Sequence, residues 1–79
     1  MRNLKSAKIY WRDASHYKNE GIDWCKREAC LMDMVTEGFV IKAGRKTIVV
    51  AHEINSEDGA RDISVIPRNC ISRIVYLEE

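Results

Sequence analysis

Three cysteines, two histidines and a scatter of carboxylates are the residues of this 79-residue chain that could hold a metal or work on a bond. Cys25 and Cys30 stand five apart, which on a helix sets them about 140° from one another round the axis. Thiols so splayed do not share one zinc ion easily. Cys70 with His16 or His52 would have to arrive from other elements, whereas structural zinc patterns keep their ligands closely spaced. No metal site is expected. A thiol nucleophile needs a base and an orienting group at hand, and no local signature supplies them. Small, buried, apolar side chains are therefore the expected role of the cysteines. His52 and Glu53 are neighbours in a strand-like segment, so they face opposite sides of a sheet and do not cooperate. Asp13, with His16 just after it, reads as an anchor for backbone amides of the following loop. Gly44 and Gly59 are turn residues, so no loop cradles a phosphate. No catalytic residue and no cofactor is assigned, and the chain is expected not to be an enzyme.

The remaining candidates are binding residues. Formal net charge is +1, from 13 basic and 12 acidic residues, which argues against a protein built on non-specific attraction to phosphate backbones. Locally the basic residues gather at Lys42, Arg45 and Lys46 around one turn, with Arg61, Arg68 and Arg73 farther on. If the last two turns lie on one rim, Lys42, Arg45, Lys46, Arg61 and Arg68 form a positive ridge that meets nucleic acid. Single strands also want stacking aromatics beside such a ridge. Trp11, Trp24, Tyr10 and Phe39 sit in segments that read as core, which leaves Tyr17 and Tyr76 free to stack. Protein interaction is the leading expectation, with a separate partner or a second copy. Arg73 and Tyr76 are residue types favoured in interface anchors, and with Arg68 they are the candidate contacts.

These residues are positioned by a chain that is nearly continuous β-type sequence from Leu31 to Leu77. Lys8-Ile9-Tyr10-Trp11-Arg12 predicts a first strand within Ala7 to Ala14. Ser15 to Gly21 is a loop, and Asp23 caps a helix of about two turns through Cys30, short enough to depend on packing. Leu31 to Ala43 is the longest strand, bent or bulged at Gly38. Ala43-Gly44-Arg45-Lys46 turns the chain, with Gly44 suited to positive φ. Thr47 to Glu53 is a strand with a buried centre, and Asn55 to Gly59 is a hairpin turn signalled by Asp58-Gly59. Asp62 to Ile66 returns. Pro67 ends that strand because it cannot donate to a ladder, Pro67-Arg68-Asn69 makes a one-turn connection, and Ile71 to Leu77 closes the list of strands. The strand after Pro67 is the expected free edge, a template for pairing with another chain.

At 46% hydrophobic and 32% charged, the chain lies outside the disordered class and has no apolar run long enough to cross a bilayer. Residues 1–79 make one small domain, with residues 1–6 expected to be flexible. Met1 to Lys8 shows no secretory signal, and three cysteines are an odd set, so reduced thiols, a cytoplasmic location and no membrane partner are expected.

The element order resembles a five-stranded SH3-like or Sm-like barrel, mainly β with one short helix, over roughly Lys8 to Leu77. Val65-Ile66-Pro67-Arg68-Asn69-Cys70-Ile71-Ser72-Arg73-Ile74 is similar to the second Sm motif, an apolar strand, an arginine-bearing turn and a spaced apolar pair. Asn69 stands where that family has glycine, and the turn is one residue shorter. The aspartate and asparagine of the first Sm motif have no counterpart around Ala43 to Thr47. The chain also resembles small uncharacterised proteins of bacteria and their phages that combine Trp11-Arg12-Asp13-Ala14, Gly21-Ile22-Asp23-Trp24 and an Ile66-Pro67-Arg68 turn. These resemblances imply a barrel, and the Sm likeness implies an RNA- or DNA-binding alternative.

Overall fold

The computed structural model describes residues 3–77. Its elements are β1 (Ser6–Asp13), α1 (Ile22–Glu28), β2 (Met32–Ala43), β3 (Thr47–Ile54), β4 (Ala60–Pro67), a single 3₁₀ turn (Arg68–Cys70) and β5 (Ile71–Leu77). All strand pairs are antiparallel, in the order β4-β3-β2-β1-β5. Of the flexible stretch expected over residues 1–6, residues 1–2 lie outside the described residues. The Lys5 carbonyl accepts the Val40 amide at 2.8 Å, and Ser6 opens β1.

Strand β2 serves two neighbours. Its first half pairs with β1, from Asp13–Met32 to Ser6–Phe39, and its second half pairs with β3. Two devices bend it. At Gly38 a Cβ would lie 2.6 Å from the Ala51 carbonyl oxygen and 2.8 Å from Val50 Cγ1, so only glycine lets β3 cross so closely. The register then slips between Val40 and Lys42, leaving Ile41 as the extra residue of a bulge. The bend brings Ala7 and Ile9 of β1, Ile48 and Val50 of β3 and Ile66 of β4 into one buried cluster. Trp11, Val40, Ile71 and Ile74 are half-buried around it. The buried centre expected for the third strand is present, since Ile48, Val50 and Ala51 are all fully covered.

The barrel expected from the sequence is not closed. β4 and β5 are the two edges, and no ladder joins them. Closure would need β4 to present an unbroken edge, yet Asp62 within it sits at φ 55°, in the left-handed region that a pleated strand does not use. The sheet is an open, curved one. Two local expectations are also corrected. Gly44 has no positive φ; the left-handed residues are Asp58 and Asp62, and Asp58 turns the β3–β4 hairpin under the Asn55 side chain, which accepts the Glu57 and Gly59 amides. Asp23 is not the helix cap. The helix starts one residue before it, Gly21 takes the cap position with no side-chain bond, and Asp23 falls in the first turn, where its charge still suits the amide end.

The chain is elongated. Its extents are 53 × 22 × 21 Å and its radius of gyration is 16.0 Å, against about 12 Å for a compact domain of this length. The length comes from the β1–β2 hairpin, which runs past the sheet. β5 follows β1 only as far as Trp11, opposite Ile71, and beyond that point residues 12–33 form an arm tipped by α1.

Candidate functional site

Two surfaces stand out: a basic rim and the arm. The rim is built by Arg68. Its backbone amide donates to the Lys46 carbonyl at 2.8 Å and its Nε donates to the Gly44 carbonyl at 2.9 Å, which clasps the 3₁₀ turn onto the β2–β3 turn. Pro67 makes this possible by ending β4 opposite Thr47, one residue before the clasp. Lys42, Arg45 and Lys46 line one shallow depression on the rim, and Arg45, Lys46, Arg68 and Asn69 line the next. Among the described residues, no acidic side chain lines either. The β2–β3 turn and the 3₁₀ turn thus share one rim, which gathers Lys42, Arg45, Lys46 and Arg68, whereas the last two turns, expected on one rim, lie at opposite ends of β4. Arg61 does not join them, because it lies at the other end of β4 and binds Glu53 at 2.6 Å. Arg73 is on β5, over the Tyr10 ring at 4.2 Å, and Tyr76 is an exposed residue of the same edge strand with Lys5 Nζ 5.8 Å from its ring. Edge β5 and rim are therefore separate groups of candidates.

The arm holds residues that the sequence pattern assigned elsewhere. Ser15 Oγ donates to the Cys30 carbonyl, and the Tyr17 hydroxyl reaches the same oxygen at 3.4 Å, so the two ends of the loop are tied. The Tyr17 and Trp24 rings meet edge to face, 5.3 Å apart at 69°. Tyr17 is therefore not a free stacking platform and Trp24 is not part of the core; each covers the other within the arm. Cys25 and Cys30 are exposed and Cys70 is half-buried, which corrects the reading of the thiols as buried filler: two lie on the arm, whose helix buries none of its residues. Asp13 Oδ1 accepts the Ala14 amide at 2.8 Å, the loop anchor anticipated for it. Among the described residues, no three His, Cys, Asp or Glu side chains converge as metal ligands, and no helix is long and apolar enough to cross a membrane.

No protein-family model, no curated protein and no solved structure matches this chain. The surface itself must carry the functional argument.

That surface is unusually apolar. Ile22, Leu31, Met32, Met34 and Val35 are exposed on or beside the arm, Ile63 and Val65 on β4, and Val75, Tyr76 and Leu77 on β5. Along the arm, Met34 faces Trp11 and Met32 faces Asp13 across the ladder. Trp11 is fixed on that side by donating its Nε1 proton to Thr36 Oγ1 at 2.9 Å. Because directly opposed residues share a face, Met34 and Met32 prolong the face that carries Ile9 and the core. The sequence held a signal for this. Eighteen residues between two paired strands, 14 to 31, far exceed a hairpin turn, and Leu31-Met32 with Met34-Val35 puts apolar side chains on both faces where a one-sided strand would alternate.

Proposed function

We propose that this chain is a non-enzymatic interaction module that works by covering its apolar surface with protein, either another copy of itself or a separate partner. One observation carries the reading. The chain exposes 6500 Å², whereas a folded monomer of its 9.1 kDa exposes about 4,900 Å². The excess, roughly 1,600 Å², lies within what each subunit gives to an obligate dimer. Part of that surface is apolar, with Met32, Met34, Ile63, Val65 and Tyr76 among the exposed side chains, and large exposed apolar patches mark interaction sites. Arg73 and Tyr76 on the edge strand β5, and Arg68 on the rim, are the polar anchors we assign to it. The element order and the Ile66-Pro67-Arg68 turn favour an SH3-like or Sm-like ancestry for the open sheet, and the Trp11 to Ala14 and Gly21 to Trp24 motifs favour an accessory protein of bacteria or phages, acting in the cytoplasm. The test is the mass of the purified full chain in solution, with identification of any protein that accompanies it from its host. A mass above 9.1 kDa, or a stoichiometric protein partner, is expected. A lone chain with neither overturns the reading.

A second reading, nucleic-acid binding, is favoured by the clasped rim, where Lys42, Arg45, Lys46 and Arg68 line shallow depressions with no acidic side chain among the described residues. It ranks second because no aromatic ring lines the rim for bases to stack on. On this reading, binding of a short labelled single strand weakens with salt at a slope of about −2 to −3 in log K against log salt. The pair Arg45→Glu and Lys46→Glu abolishes it. Anisotropy titrations that show no binding at low salt, or binding unchanged in the double variant, contradict it.

A further inference from the structure

We infer that the arm, residues 12–33, is a self-association device: two copies pack their arms together through the face that carries Met32 and Met34. This rests on the reading of the chain as an interaction module and names its partner as a second copy.

The core face of the hairpin does not stop where the core stops. β5 covers β1 only to the Trp11–Ile71 pair. Past it the same face continues as Met34, 37% exposed, and Met32, 52% exposed. Folding one chain leaves this stripe in water, at about 25 cal/mol for each Å² of apolar surface. A second copy offers the same stripe in the reverse direction, and a symmetric contact asks only that a patch fit itself. Methionine suits that demand, being unbranched and able to fill irregular gaps.

Size and charge select the same occupant. The arm has 22 residues, and a standard interface takes about 20 to 30 from each side. Over the whole chain, the surface in excess of a compact monomer's is as large as the area one subunit gives to an obligate dimer. Residues 12–33 carry five acidic and four basic side chains. That balance lets two arms meet without net repulsion and gives a polyanion nothing to prefer. Arg12 already pairs with Asp33 at 3.1 Å within one arm. The β4 edge is less suited. Asp62 breaks β4 with its left-handed backbone, and a kink on an edge strand works against pairing.

The experiment measures mass by light scattering during size-exclusion chromatography, for the full chain and three variants, with far-UV circular dichroism as the check on folding. Wild type is a dimer. Met32→Lys with Met34→Lys raises its dissociation constant at least about 100-fold, the loss expected when central contacts are removed, with the β-sheet spectrum kept. Met32→Leu with Met34→Leu stays dimeric, as does Ile63→Lys with Val65→Lys on β4. Should the lysine pair unfold the chain, Met32→Lys alone, at the end of β2, carries the same expectation. A dimer that survives the arm variants but is broken by the β4 pair overturns the arm inference and leaves the module reading standing. So does a monomeric wild type that holds another protein. A monomer that holds none overturns both.

Discussion

Gly38→Ala lowers the folding free energy by about 3 kcal/mol, the upper part of the range for overpacking a tight site. The added methyl would sit 2.6 Å from the Ala51 carbonyl oxygen and 2.8 Å from Val50 Cγ1. Neither neighbour yields readily. The oxygen belongs to the β3 backbone, and the valine is β-branched, held in few rotamers and fully buried. Relief requires β2 and β3 to separate at the point where β2 bends, which opens the contact between Ile9 on β1 and Ile48 and Val50 on β3. Urea denaturation checks this: the midpoint falls with the slope unchanged, so that stability and not compactness is altered. A midpoint equal to wild type would mean that the two strands do not approach at Gly38.

Ile9→Ala has a still larger effect, about 4 kcal/mol. Ile9 is fully buried at the centre of a cluster that counts only five buried residues among those described. A chain of this length has about 4 to 12 kcal/mol to lose, and a core so small places it at the low end. The variant is expected to be largely unfolded at room temperature, with loss of the β-sheet circular dichroism spectrum. An exposed residue of similar character, Val65 at 61% exposure, has no comparable cavity to leave. A folded Ile9→Ala protein with wild-type melting would contradict the core as described.

The order of elements was legible because local chemistry states it. Pro67 must end a ladder, Asp58-Gly59 must turn, and the β-branched run Thr47 to Val50 fills a strand whose centre is buried, as found. Gly38 was legible as a bend for the same reason, a missing side chain in an otherwise full strand. Closure of the barrel was not legible, since it depends on whether β4 and β5 approach across space. That approach meets the left-handed Asp62, a conformation nothing in Arg61-Asp62-Ile63 announces. Cys25 and Trp24 were misplaced for one reason. Their types are usually buried, and burial was assumed for a helix that instead rides on the end of an arm. Of the basic residues, a rim was expected from the last two turns, but these sit at opposite ends of β4, and it is the β2–β3 turn that meets Arg68. The separation of Arg61 followed from its strand register, opposite Glu53.

The central claim is that the surface left open by this fold is covered by protein. It is tested most directly by the mass of the full-length chain, measured by light scattering over a range of concentrations. The account predicts a mass of at least twice 9.1 kDa that declines on dilution, or a stoichiometric complex with a host protein. A mass of 9.1 kDa at every concentration, with no protein attached, contradicts it.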